Sequence, residues 1–175
     1  MHVLDLMENS VRAGATSIAV ELEEYPEKDL LVLSVEDDGS GMPSGDIDVT
    51  DPFFSTKGKK TGLGLSLMRA AAEAAGGKLD TGRSRLGGAL VRASMSMGHV
   101  DRSPLGDLAA SLSAVACSHP DVELSCRIRT ARGTEIITTR DFARGLAGVH
   151  MGALAVARDL SARVRRAMHS LAVDD

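Results

Sequence analysis

Apolar residues recur along this chain in two periods, and the switches between them mark its elements. Over residues 2–13, Leu4, Met7 and Val11 fall at i, i+3 and i+7, which predicts a helix that Gly14 stops. Residues 16–23 (T-S-I-A-V-E-L-E) alternate with period two and predict a half-buried strand. Pro26-Glu-Lys-Asp29 reads as a turn, and residues 30–36 as a second strand with Val32 and Leu33 inside. Residues 38–60, rich in Gly, Pro, Ser, Thr and Asp, read as loop. Helical spacing returns near residues 62–64, runs through Leu67, Met68, Ala71 and Ala75, and ends at Gly76-Gly77. Residues 78–82 and 89–97 read as strands joined at Gly87-Gly88. Beyond Gly98, residues 104–116 read as a helix and residues 122–130 and 135–140 as a hairpin around Ala131-Arg-Gly133-Thr. Residues 142–146 and 153–172 read as two further helices.

This order predicts an α/β (α+β) two-layer sandwich, a mostly antiparallel mixed sheet covered by helices on one face. Residues 1–98 form its main domain, and residues 99–175 a small α/β appendage packed on it rather than floating.

Composition narrows the classes. A length of 175 residues suits one domain, or one domain with a substantial appendage. Hydrophobic content is 43% but aromatic content only 2%, so the core must rest on Leu, Val, Ala, Ile and Met. No apolar run reaches bilayer length and no charged-then-apolar leader opens the chain, so a soluble, cytoplasmic protein without a membrane partner is expected. Cys117 and Cys126 make neither a metal spacing nor a disulfide framework and read as buried, reduced thiols. The net charge of −4 hides a polarity: residues 1–42 hold ten acids and two bases, residues 55–92 eight bases and two acids. Solvated faces explain this, and so does a basic half that meets phosphates beside an acidic half that meets a cation and a base edge. No platform of interleaved aromatic and basic residues is visible, so no nucleic-acid partner is expected.

Four segments then stand in a telling order: Asp5-Leu-Met-Glu-Asn9-Ser, Asp37-Asp-Gly39-Ser-Gly41-Met42, Asp51-Pro-Phe-Phe-Ser-Thr56-Lys57 and Thr61-Gly62-Leu63-Gly64-Leu65. Together they resemble the N, G1, F and G2 boxes of the GHKL superfamily of ATP-binding proteins. That resemblance implies a Bergerat-type fold, an ATP site and a Mg²⁺ ion. It is closest to small stand-alone histidine-kinase-like ATPase domain proteins, whose joining segment appears here as His99-Val-Asp101-Arg102-Ser-Pro104-Leu-Gly106-Asp107. Relatives of this kind carry an element before the N-box helix, which here starts at residue 2.

Asp5 and Asn9, four apart, share a helix face. An amide oxygen suits a hard cation that keeps most of its waters, and a carboxylate one turn earlier suits a base for an attacking water. The plain alternative is a dipole partner near the helix start and a surface amide. The resemblance makes Asn9 the Mg²⁺ ligand and Asp5 the catalytic carboxylate, where hydrolysing relatives carry Glu and histidine kinases Asn. Asp37, at a strand end before Gly39 and Gly41, suits a hydrogen bond from an adenine amino group. Guanine offers an acceptor there, and leaving such a group unpaired costs about 1–3 kcal/mol. The alternative is an ordinary Asp-Gly turn. The resemblance adds Met42, Thr56, Leu63 and Leu65 to the nucleotide contacts. Gly62 and Gly64 stand at a helix start that favours phosphate. Lys57 and Lys60 have two readings, phosphate contact or a solvated side chain, and phosphate contact is adopted for Lys57. Phe53 and Phe54 read as packing residues. Ala89 stands where many relatives carry a Thr that joins the adenine network.

The segment between Met42 and Phe53 is ten residues long, short for a lid and in keeping with an exchangeable site. The five histidines are followed by Val3, Val100, Pro120, Met151 and Ser170, none of them the acid that follows a phosphoacceptor histidine. Three functions follow. The first is a regulatory Mg-ATP-binding protein whose slow hydrolysis switches a protein partner or a homodimer. The second is a protein kinase of the anti-sigma-factor or histidine kinase type, and the third a non-hydrolysing ATP/ADP sensor.

Overall fold

A computed structural model describes residues 3–42, 63–144 and 152–173. Helix α1 (Val3–Arg12) leads into β1 (Ser17–Tyr25) and, through a 3-10 turn at Pro26–Lys28, into β2 (Leu30–Asp37). Helix α2 (Leu63–Ala74) is followed by β3 (Lys78–Arg83) and β4 (Ala89–Ser96). The remainder is α3 (Leu108–Ser118), β5 (Glu123–Thr130), β6 (Gly133–Thr138), α4 (Thr139–Arg144) and α5 (Ala153–Ser170).

Among the described residues, six strands join one sheet in the order β3-β4-β2-β1-β5-β6. Neighbours are antiparallel except β1 and β5, which run parallel with Ile18 opposite Leu124 and Leu22 opposite Ile128. A parallel pair needs a long crossover, and the chain between β1 and β5 supplies it. Strands β5 and β6 thus extend the sheet of the first part, and α3 and α5 share its core.

Strand alternation decides which face is covered. Ile18, Val20 and Leu22 of β1, Leu31, Leu33 and Val35 of β2, Val91, Ala93 and Met95 of β4 and Leu124, Cys126 and Ile128 of β5 are all buried in one cluster. Helices α1, α2, α3 and α5 close it with Met7, Met68, Leu112 and Leu160. The opposite face carries Glu21, Glu23, Glu36, Arg127 and Arg129, joined in ion pairs such as Arg127 Nη1 to Glu21 Oε1 at 3.4 Å and Arg129 Nη1 to Glu23 Oε1 at 3.7 Å.

Several expectations need correction. The buried face of α1 is Val3, Leu6, Met7 and Ser10, while Leu4 is exposed, so the true stripe lies one residue off the predicted one. Leu67 is likewise exposed; α2 buries Met68 and Ala72, and Ala75 just beyond its end is buried too. Strand β6 ends at Thr138 and α4 begins at Thr139, earlier than the pattern predicts. Thr138 and Asp141 exchange bonds there: the Thr138 amide donates to Asp141 Oδ2 at 3.0 Å, and the Asp141 amide to Thr138 Oγ1 at 3.3 Å. That is a capping box, which turns the chain into a helix. Of the two thiols only Cys126 is buried, and burial pushes it up to about 12; Cys117 is exposed on α3.

Candidate functional site

The last residue of β2 is the centre of the site. Asp37 is buried, and three donors reach its carboxylate. The amides of Gly39 and Ala89 both donate to Oδ1, at 3.0 and 2.9 Å, and Ser10 Oγ donates to Oδ2 at 2.6 Å. A carboxylate offers about four acceptor positions, so among the described residues one position on Oδ2 remains for a further donor. The Asp37 carbonyl also accepts from the Gly88 amide at 3.0 Å.

Close approach makes a glycine necessary at position 88. A Cβ there would lie 2.2 Å from Asp37 Oδ1 and 2.5 Å from the Gly39 nitrogen. Gly41, with φ of +78°, also lies close to Gly88, where a Cβ on it would stand 3.7 Å from the Gly88 carbonyl. Gly39 and Gly41 therefore stand around Asp37, with Met42 packed on the hydrophobic core.

Helix α1 links this cluster to the start of α2. Ser10 faces Asp37, while Asp5, five residues earlier, stands at Gly64, where a Cβ would meet the Asp5 Cβ at 3.3 Å. The two ends are about 7.5 Å apart along the helix axis. Asn9 lies between them, half-buried, on the same face as Asp5. Gly64 and Leu65 belong to the first turn of α2, whose amides and dipole favour an anion, and Leu63 opens that helix. Thr56, Lys57, Lys60 and Gly62 lie outside the described residues.

A Mg²⁺ ion fits this donor set in one way. Among the described residues no three His, Cys, Asp or Glu side chains converge to make a cage. One amide oxygen on α1 with a carboxylate a turn away suits an ion that keeps its waters and is carried largely by phosphate oxygens.

Sequence reasoning missed several residues around Asp37. Ser10 was visible only as the neighbour of Asn9. Glu36, adjacent to Asp37, points to the other face and accepts from Ser84 Oγ at 3.1 Å, the Arg85 amide at 3.0 Å and Arg85 Nη2 at 2.7 Å. Burial opposes its charge, yet these bonds with Arg85 and Ser84 hold its pKa below the usual carboxylate range. Asp38 clamps the start of β1, accepting from Thr16 Oγ1 at 2.6 Å and from the Thr16 and Ser17 amides at 2.7 and 2.9 Å. Its partial burial is likewise outweighed by those bonds, and its pKa is lowered. The run Glu36-Asp37-Asp38 thus has three separate tasks. Ala89 contributes its amide to the cluster, and its methyl adds no polar group.

Comparison with known proteins identifies the family. Residues 2–99 match the model of the family "Histidine kinase-, DNA gyrase B-, and HSP90-like ATPase". The chain is 36% identical over 94 residues to the sensor protein kinase PilS of Pseudomonas aeruginosa, half of this chain and 18% of that protein. It is 39% identical over 67 residues to the sensor kinase CckA of Brucella abortus, 37% of this chain and 7% of that protein. The chain therefore spans only a small part of the length of these relatives. Among solved structures, the N-terminal domain of a DNA repair protein superposes with a TM-score of 0.49 at 15% identity, over 77% of this chain and 50% of the other. With the Asp37 cluster and the α1–α2 junction inside the matched span, the chain belongs to the histidine kinase-, DNA gyrase B- and HSP90-like ATPase family.

Proposed function

We propose that this protein is a cytoplasmic Mg-ATP-binding regulator whose slow hydrolysis of ATP switches its contact with a protein partner or a second copy of itself. The observation that carries the reading is the buried Asp37 carboxylate, supplied by three protein donors and left with one acceptor position. A 6-amino group completes that set, whereas a guanine carbonyl would face it acceptor to acceptor. In this reading Asp37 selects adenine, Gly39, Gly41 and Met42 border the base, and the first turn of α2 at Leu63, Gly64 and Leu65 receives phosphate.

Asn9 would hold the metal, which supplies charge neutralisation at the phosphates when bound. Asp5 would take the proton of a water attacking the γ-phosphorus as the bond to the ADP oxygen breaks. Its place at Gly64 supports this role. Its exposure supports slow rather than fast turnover, because solvent competes for the carboxylate.

The names of the relatives favour a second reading, in which the accepting group is a side chain of a partner protein and Asp5 serves that group instead of water. One assay separates the two. The protein is incubated with Mg²⁺ and γ-labelled ATP, and label is counted as free phosphate and as protein-bound. Slow phosphate release that vanishes in Asp5→Asn supports hydrolysis. Label that stays on ATP until a second protein receives it supports the kinase, and label that never leaves bound ATP contradicts both.

A further inference from the structure

We propose that Arg85 is a positioning residue for adenine recognition, holding the Gly88 and Ala89 amides in place through Glu36 from the opposite face of the sheet. The inference rests on the reading of Asp37 as the adenine acceptor. Its starting point is local: β2 ends in Glu36-Asp37, and strand alternation sends these neighbouring side chains to opposite faces. Both hold the same turn, residues 84–88, between β3 and β4.

Asp37 holds the exit of that turn, with its carbonyl on the Gly88 amide and its Oδ1 on the Ala89 amide. Glu36 holds the entrance. Ser84 Oγ and the Arg85 amide donate to its Oε2 at 3.1 and 3.0 Å, and Arg85 Nε and Nη2 donate to its Oε1 at 3.3 and 2.7 Å. The turn is closed on itself as well. The Ser84 amide donates to the Gly88 carbonyl at 2.9 Å, the Gly87 amide to the Ser84 carbonyl at 3.1 Å, and the Leu86 amide to Ser84 Oγ at 2.9 Å. A turn tied this way transmits a shift at residue 84 to residues 88 and 89.

Charge explains why Arg85 governs the tie. The Glu36 side chain is 7% exposed, and the Arg85 side chain that neutralises it is 75% exposed. Without the guanidinium, a buried carboxylate loses its counter-charge and must draw in water or a proton, either of which loosens its grip on Ser84 and the Arg85 amide. Glu21, 3.6 Å from Arg85 and 3.4 Å from Arg127, orients the guanidinium from β1. Because Arg85 lies on the surface, its replacement leaves the core untouched.

The test compares wild type, Arg85→Ala and Arg85→Lys by amide hydrogen exchange without nucleotide and by ATP and GTP titration. In Arg85→Ala, exchange at Gly88 and Ala89 should speed by about tenfold while Val20 and Leu22 keep their rates. The preference for ATP over GTP should fall at least roughly threefold. Arg85→Lys, which keeps the charge, should recover part of both. Unchanged exchange at Gly88 and Ala89, or equal acceleration across all strands, overturns the proposal. So does an intact ATP-over-GTP ratio in a variant whose turn has loosened. A wild-type protein without nucleotide preference would defeat the adenine reading instead, and with it the role of Arg85 in recognition, while local exchange still reports whether the Glu36 tie exists.

Discussion

Replacing Gly88 by Ala should damage stability and nucleotide binding together, because one methyl group intrudes on the Asp37 cluster. The added Cβ would sit 2.2 Å from Asp37 Oδ1, 2.5 Å from the Gly39 nitrogen and 2.7 Å from the Asp37 carbonyl oxygen. Two of these contacts are backbone atoms, so the strain is not relieved by rotating a side chain. To clear the methyl, the turn must move away from β2 and stretch two bonds, the Ala89 amide on the carboxylate and the Gly88 amide on the carbonyl. A hydrogen bond to a charged group contributes about 1.5–3 kcal/mol and a neutral one about 0.5–1.5 kcal/mol, so losing most of both costs about 2–4 kcal/mol. At about 2–4 °C per kcal/mol for a chain of this size, the midpoint of thermal unfolding should fall by roughly 4–16 °C. Gly82→Ala is the control, since a Cβ there meets nothing within 4 Å. Thermal unfolding by circular dichroism, with ATP titration of the folded fraction, reads both effects. A Gly88→Ala protein with the midpoint and ATP affinity of wild type would refute the reasoning.

Other outcomes follow from the same geometry. Ser10→Ala removes the donor on Asp37 Oδ2 and should weaken ATP binding about tenfold, measured by calorimetry, while Ser10→Thr keeps the hydroxyl and most of the affinity. Stability should fall in acid: Glu36 and Asp38 have folded pKa values below their unfolded ones, so the stability they add is present above about pH 4 and is lost as pH drops through the folded values. Urea unfolding between neutral pH and pH 3 should show that loss, and Glu36→Gln should reduce it. In native protein a thiol reagent should label Cys117 and spare Cys126, whose thiol burial holds near 12, and in denaturant it should label both. Leu22→Ala, in the centre of the sheet, should cost about 2–5 kcal/mol in urea unfolding.

What could be read from the sequence was local. The alternation of β1 and the glycine stops of α1 and α2 gave their elements, and the four ordered segments gave the family. The registers of the pattern were weaker guides. Leu4 and Val3 are both apolar, and only tertiary packing chose Val3 with Leu6 and Met7 as the buried face. The capping exchange of Thr138 with Asp141 overrode a strand-like run, a signal present in T-T-R-D but outweighed there by β propensity. The parallel pairing of β5 with β1 joins residues about a hundred positions apart, and nothing in either strand names its neighbour.

The site divides in the same way. Asp5, Asn9, Asp37, Gly39 and Gly41 were legible because they stand in the ordered segments that carry the family resemblance. Ser10, Glu36, Ser84 and Arg85 act through contacts made in space, the Ser10–Asp37 bond spanning 27 positions and the Arg85–Glu36 bonds 49. No periodicity announces such pairs.

The central claim is that Asp37 is an adenine acceptor, and calorimetric titration of wild type and Asp37→Asn with ATP and GTP in Mg²⁺ tests it most directly. The account predicts that wild type binds ATP at least about tenfold more tightly than GTP, and that Asp37→Asn loses that preference. Equal affinity of wild type for ATP and GTP, or a preference that survives in Asp37→Asn, would contradict it.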